Sequence, residues 1–214
     1  MEKELAIVLA DLSGFTALTE AHGAVSAADI IDRYLQIVRE SLVGEARLHE
    51  RVGDEVVIIS PSADDALATA MLMLKKGAEA DQFLQLHGGL HFGPLLERRG
   101  SYFGAALNFT SRMASQAAAG SFLCSVPFIE ALRDPGTLHF EKKGPFQFKN
   151  ISDSFELYEF RAVSSQFLAI DPICRMLLLS EEAAFPHPKE GGVYFCSTTC
   201  LEKYDAVKSK ELTT

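Results

Sequence analysis

Residues 9–23 read LADLSGFTALTEAHG, and this stretch decides the fold. The apolar run just before and into it, residues 5–10, has the length and composition of a buried strand, and it stops at Asp11. Ser13 and Gly14 then open a helical pattern whose first turn holds Phe15 and Thr16. A carboxylate at a strand end, followed by glycine and hydroxyls at a helix start, has two readings. It is a solvated, capped turn, or it is a cradle where helix N–H groups and a carboxylate-bound cation meet a phosphate.

Working outward, residues 13–22 and 26–42 read as helices, the second with Ile30, Ile31, Tyr34, Leu35, Ile37 and Val38 on one face. Residues 47–60, RLHERVGDEVVIIS, read as two strands joined at Gly53 and Asp54. A helix over 62–80 starts near Ser62 or Asp64, and residues 83–93 form a strand. A helix over 105–119 is stopped by Gly120; a strand at 121–125, a short helix at 126–134 and strands at 146–150 and 155–161 complete the pattern. The resulting order, βααββαβ and onward, predicts an α+β ferredoxin-like sandwich with helices on one face of a mainly antiparallel sheet. His87 and His91 read as a packed strand pair, and Cys124 as a small buried hydrophobe.

The chain has 214 residues, with 20 Lys and Arg against 29 Asp and Glu, a net charge of −9. That balance argues against a nucleic-acid partner, which needs a basic surface. The apolar runs are too short for a secretion signal or a membrane span, so a cytoplasmic protein without a membrane partner is expected. Residues 1–161 read as one domain, 162–168 (small and polar) as a linker, 169–206 as a second small module and 207–214 as a flexible tail. Three of the four cysteines lie in the last fifth of the chain, which suggests a local metal site more than a disulfide framework.

If the 47–60 hairpin lies beside the first strand, Asp11 and Asp54 converge, and two such carboxylates suit hard cations. At this point four blocks, ADLSGFTALTE, ERVGDEVVIIS, GGLHFGPLL and YFGAALNFTSRMASQAAAGSFLCS, resemble in order and spacing the class III adenylate/guanylate (nucleotidyl) cyclase catalytic domain. The resemblance covers about residues 4–161. It implies a cyclase-type fold and a homodimer with active sites at the interface. It also implies conversion of a purine nucleoside triphosphate to a 3′,5′-cyclic nucleotide and pyrophosphate, in intracellular signalling. It implies that Asp11 and Asp54 bind two Mg²⁺ or Mn²⁺ ions, that Asn108 orients the ribose, and that Arg112 stabilises the transferring phosphoryl group. Gly14, Phe15 and Thr16 would cradle phosphate, and Lys149 would contact the triphosphate, although Asn150 replaces the usual following glycine. Where adenylate cyclases typically carry a base-reading lysine, this sequence has Glu50. A carboxylate accepts from the two donors of guanine, whereas adenine presents an acceptor, so Glu50 favours GTP over ATP. The second base-reading position falls on Ser101, whose hydroxyl suits either base. The segment 93–102, which would reach toward the dimer partner, is short. Glu50, Ser101, Asn150 and that short hairpin also fit an alternative: a weak or inactive cyclase-fold dimer that senses a nucleotide or metal.

The motifs DPICRM and YFCSTTC resemble a YHS/TRASH-type metal-binding module. The resemblance implies Zn²⁺ or another soft metal on Cys174, Cys196 and Cys200, with His187 the candidate for a fourth ligand. Arg175 stands where that module commonly has glycine.

Overall fold

The computed structural model describes residues 2–135, 139–148, 154–161, 169–178 and 184–211. Strand β1 (Glu2–Leu12) is its axis. Leu5, Ile7 and Leu9 point to one face of the sheet and Ala6, Val8 and Ala10 to the other, and all six are buried. Burial on both faces is why this segment reads as a continuous apolar run rather than an alternation. Helix α1 (Phe15–Ser41) follows and is interrupted at Gly23, whose φ of 82° and ψ of 177° lie outside any right-handed helix. The two helices expected at 13–22 and 26–42 are the two parts of this element. Ala27, Ile30, Tyr34 and Val38 recur at helical spacing and are buried.

Strands β2 (Arg47–Val52) and β3 (Glu55–Ser60) form the expected hairpin around Gly53 and Asp54. Helix α2 (Ala63–Glu79) starts where expected, with Ser62 Oγ accepting the Asp65 N–H at 3.2 Å. Then come β4 (Phe83–Leu84), β5 (Leu86–Arg98), β6 (Ser101–Phe103), α3 (Ala105–Ala114), β7 (Ser121–Ser125), α4 (Val126–Glu130), β8 (Glu141–Gln147) and β9 (Ser154–Arg161). The main sheet runs β2-β3-β1-β5-β7-β9-β8, with β6 paired to β5. Its β5–β7 pair is parallel and its other described pairs are antiparallel.

One expectation needs correction: helices cover both faces. Residues of α1, α2 and α4 pack with Ala6, Val8 and Ala10, whereas Ala106 and Ala114 of α3 pack with Leu5, Ile7 and Leu9. The physical reason lies in Gly88 and Gly89 of β5. A Cβ on Gly89 would stand 3.0 Å from Thr110 O and 3.1 Å from Ala114 N, so α3 rests its backbone on the strand. A Cβ on Gly88 would stand 2.2 Å from Leu9 O and 2.4 Å from Phe122 Cε1 on the opposite side.

The C-terminal segment comprises β10 (Ala169–Ile170), β11 (Met176–Leu178), β12 (Phe185–Pro186), β13 (Tyr194–Phe195) and α5 (Thr198–Glu211). It does not stand apart. Strand β11 pairs with β10 on one side and with β4 on the other. Cys174, Met176, Phe195 and Cys200 belong to the same buried cluster as Leu18, Phe83 and Leu84. Helix α5 runs on to Glu211, past the module boundary expected at residue 206.

Gly88→Ala is expected to destabilise the domain by about 1–3 kcal/mol or more, because backbone and a buried ring must both move. Gly191→Ala, where a Cβ meets nothing within 4 Å, is expected to stay within about 0.5 kcal/mol. Urea denaturation of the two variants beside the unsubstituted protein measures both.

Candidate active site and thiol cluster

Asp11 ends β1 opposite His87 of β5, and its neighbour Ala10 pairs with Val56 of β3. The β2–β3 turn therefore closes beside Asp11 and brings Asp54 to it. Asp11 Oδ1 accepts the Leu12 N–H at 2.9 Å, and the Asp54 and Asp11 carboxyls hydrogen-bond to each other. Burial first, then that hydrogen bond and the Asp11 charge, push the Asp54 carboxyl up to about 6. Burial also raises Glu55, with further push from the Asp54 and Glu50 charges. Beneath this acidic group Tyr34 Oη is buried without a hydrogen-bond partner. Burial, then the charges of Asp11, Asp54 and Glu55, hold its phenol well above the usual range. Two converging carboxyls beside an orphaned buried hydroxyl form an oxygen-rich site short of positive charge. That donor set fits a hard divalent cation.

His87, read from sequence as packing, touches this site. Its Nδ1 lies 3.0 Å from Ser13 Oγ. Burial lowers its pKa, while the Asp54 charge acts the other way. His91 keeps the packing role: Nδ1 meets Ser125 Oγ at 2.8 Å, the ring stands edge-on to Phe109, and burial brings it down to about 4. The signal missed at His87 was register, since only the strand order puts it opposite Asp11.

Gly14 precedes α1 with φ 92°, and no side chain caps that end. Phe15 and Thr16 follow in the first turn, whose N–H groups are free of side-chain competition for an anion. Asn108 and Arg112 lie one turn apart on α3. At about 100° per residue they fall on the side opposite the buried Ala106 and Thr110, with Asn108 exposed and Arg112 half-buried. They face away from the sheet that carries the carboxylates. Glu50 is exposed on β2 opposite Val57, four residues before Asp54. Ser101 is exposed on β6 opposite Arg98, beyond the Leu96 that pairs with Glu2. Asp11 and Ser101 thus stand at opposite ends of β5, opposite His87 and Arg98, about 36 Å apart at the rise of a strand. Lys149 lies outside the described residues.

The second cluster is in the C-terminal segment. Cys174 Sγ lies 3.4 Å from Cys196 Sγ, which lies 3.7 Å from Cys200 Sγ. All three are free thiols. The imidazole that meets these thiols is that of His22 of α1, not that of His187: His22 Nε2 is 3.5 Å from Cys196 Sγ and 3.4 Å from Cys200 Sγ. His187 is elsewhere and fully engaged. Its Nδ1 accepts the Glu190 N–H at 2.9 Å, and its Nε2 donates to Asp205 Oδ1 at 3.0 Å. Its ring packs against Phe195 and Tyr204. Asp171, also missed from sequence, is buried and organises the cluster. Its Oδ1 accepts the N–H groups of Ile173 and Cys174, and its Oδ2 accepts that of Cys196. The Asp-Pro opening of DPICRM was its signal. His22 had none, being 152 residues from the nearest thiol of the cluster in sequence (174 − 22).

No protein-family model matches the chain. An uncharacterised Mycobacterium tuberculosis protein is 32% identical over 159 residues, which cover 72% of this chain and 41% of that protein. An adenylate cyclase of Streptomyces coelicolor is 29% identical over 133 residues, covering 62% of this chain and 35% of the enzyme. The chain thus spans about two fifths of the length of these curated relatives. Among solved structures, a Trypanosoma brucei adenylate cyclase superimposes with a TM-score of 0.69 at 18% identity, covering 83% of this chain and 94% of the other. This chain has the fold of an adenylate/guanylate cyclase domain.

Proposed function

We propose that the chain is a nucleotidyl cyclase, a phosphorus–oxygen lyase that cyclises a purine nucleoside triphosphate to its 3′,5′-monophosphate and pyrophosphate. The observation that carries this reading is the convergence of Asp11 and Asp54 at the end of β1, in a cyclase-type fold. Asp11 and Asp54 would hold two Mg²⁺ or Mn²⁺ ions, which when bound polarise the α-phosphate and acidify the ribose 3′-hydroxyl. The N–H groups at 14–16 take the phosphates from the helix end. Asn108 orients the ribose and Arg112 neutralises charge developing on the phosphoryl oxygens. Lys149 serves the triphosphate. A soft metal ion on the tail thiols is the second cofactor of this reading.

Asn108 and Arg112 sit on an outward face, away from the Asp11–Asp54 pair, so one copy supplies the carboxylates and a second supplies the helix. This supports a homodimer with two equivalent interface sites. Exposed Val52 beside the carboxylate turn and exposed Phe103 before α3 are apolar surface that such a partner would cover. Among the described residues no helix is long and apolar enough to cross a membrane.

Asp11→Ala and Asp54→Ala are each expected to abolish Mn²⁺- or Mg²⁺-dependent cyclic nucleotide formation while circular dichroism stays unchanged. Mixing Asp11→Ala with Asn108→Ala protein is expected to restore part of the activity, because the mixed dimer contains one whole site. Activity without any dimer in sedimentation would exclude the shared site.

Glu50 within this acidic field suits the N1–H and N2–H donors of guanine. GTP is expected to be preferred over ATP, with an unsatisfied polar contact worth about 1–3 kcal/mol. Glu50→Lys is expected to move the preference toward ATP. Competition assays with both nucleotides read the result, and wild-type selection of ATP would contradict it.

The pH dependence has a definite sign. Asp54 has a folded-state pKa of about 6, above the roughly 3.9 of an unfolded aspartate. Its stabilising contribution is complete below that lower value and is lost as pH rises through about 6. Divalent cations should therefore raise the melting temperature at pH 7.5 and have little effect at pH 5, where protons compete. Asp54→Asn should remove that difference, as scanning calorimetry with and without Mg²⁺ will show.

A further inference from the structure

We propose that His22 of α1 completes a four-coordinate Zn²⁺ site with Cys174, Cys196 and Cys200, and that this ion fastens the C-terminal segment to the first two turns of α1. The inference rests on the reading of the tail thiols as metal ligands and goes beyond it in the fourth ligand and in what the ion holds together.

Four of the six donor–donor distances match the edges of a tetrahedral zinc site. Zn–S bonds of about 2.3 Å and Zn–N bonds of about 2.0 Å give tetrahedral edges of about 3.8 Å between sulfurs and about 3.5 Å between sulfur and nitrogen. The observed edges are 3.4 and 3.7 Å between sulfurs and 3.5 and 3.4 Å from His22 Nε2. All four donor atoms lie within 4.8 Å of one another. Among the described residues this is the one group of three or more His, Cys, Asp or Glu side chains close enough to share an ion. Three sulfurs and one nitrogen select a borderline-soft tetrahedral ion, and four protein donors leave no open position. Asp171 supplies the surrounding support, since its two oxygens fix the backbone at both Cys174 and Cys196. Ser197 does the same for Cys200, accepting its N–H at 3.3 Å.

What the ion would hold is a short segment with breaks at both ends. Residues 15–22 lie between Gly14, at φ 92°, and Gly23, at φ 82°. The C-terminal segment grips this piece at three points. Arg175 lies across Gly14, where a Cβ would stand 2.5 Å from its Cβ and Cγ. Lys203 Nζ donates to Ala21 O at 2.6 Å. The thiols meet His22. Arg175 holds a left-handed φ of 67° that glycine would adopt without strain, so the chain accepts a conformational cost to place a side chain on Gly14. The clamped segment is the one whose first N–H groups face the phosphates in the proposed reaction.

The test uses full-length protein purified under reducing conditions and dialysed against a weak chelator. Wild-type protein is expected to retain one Zn²⁺ per chain by elemental analysis. Its Co²⁺ form should show the intense visible bands of a tetrahedral thiolate site. His22→Ala should lose zinc to a competing chromophoric chelator with at least about tenfold higher apparent dissociation constant, since even outer-shell changes cost 10–100-fold. His187→Ala should retain zinc as wild type does. His22→Cys, which restores a donor, should retain zinc with a red- or blue-shifted Co²⁺ spectrum, so a folding failure of the alanine variant is not mistaken for ligand loss. Hydrogen exchange at residues 15–22 should quicken on zinc removal and in His22→Ala. Wild-type protein without zinc would overturn the tail-metal reading itself. Zinc lost in Cys196→Ser but held equally by wild type and His22→Ala would overturn this inference alone, as would exchange at 15–22 that ignores the ion.

Discussion

The register of β1 between β3 and β5 is the constraint on which the rest of the molecule depends. The strand is buried on both faces, and its residues alternate between two cores. A slip of one residue would exchange the small Ala6 and Ala10 with Ile7 and Leu9 and turn every side chain over. The same slip would carry Asp11 to the wrong face and away from His87 and the Asp54 turn. Packing and chemistry are therefore set by one ladder. The glycines of β5 tighten it further, since Gly88 admits the β1 backbone and the Phe122 ring, and Gly89 admits α3.

This ladder brings together like charges that the fold alone does not neutralise. Asp11 and Asp54 meet each other, Glu55 and Glu50 add to the field, and Tyr34 offers a buried hydroxyl that nothing bonds. Self-repulsion of this kind costs stability in the absence of a cation and favours cation binding by the same amount. On the proposed reading, the site trades resting stability for metal affinity. His91, two pleats further along β5 from the acids, shows the contrast: a half-buried histidine packed on Phe109 and bonded to Ser125 settles as a neutral residue.

Much of this was legible in the sequence because it was local. The strand ending at Asp11, the turn at Gly53 and Asp54, the Ser62 cap and the helical face of Ile30, Tyr34 and Val38 each follow from period and turn chemistry. What was not legible was the long-range placement. Nothing in the pattern of α3 says that it crosses to the opposite face. The glycines that permit it were visible in β5, but their partner was not. Nothing marks His22 as a neighbour of thiols more than 150 residues away, whereas His187, near them in sequence, is held by Asp205 and by its own loop. Proximity in sequence predicts shared turns better than shared ligands, because a docked segment can present any exposed residue of its partner.

The C-terminal segment shows why docking and site construction are the same event here. A segment this short has little core of its own. It gains one by adding β11 to β4 and burying Met176 and Phe195 against the domain. Once β11 is fixed, the turn made by Asp171 and Arg175 falls on Gly14, and Lys203 of α5 reaches the Ala21 carbonyl in the first part of α1. These contacts fall within the two turns before the break at Gly23, while Tyr34 and Val38 beyond it are buried in the core. Residues 15–22 are themselves anchored in the core through Leu18, so on the proposed reading one core-held piece of helix carries the phosphate-facing turn at one end and meets the thiol cluster at the other.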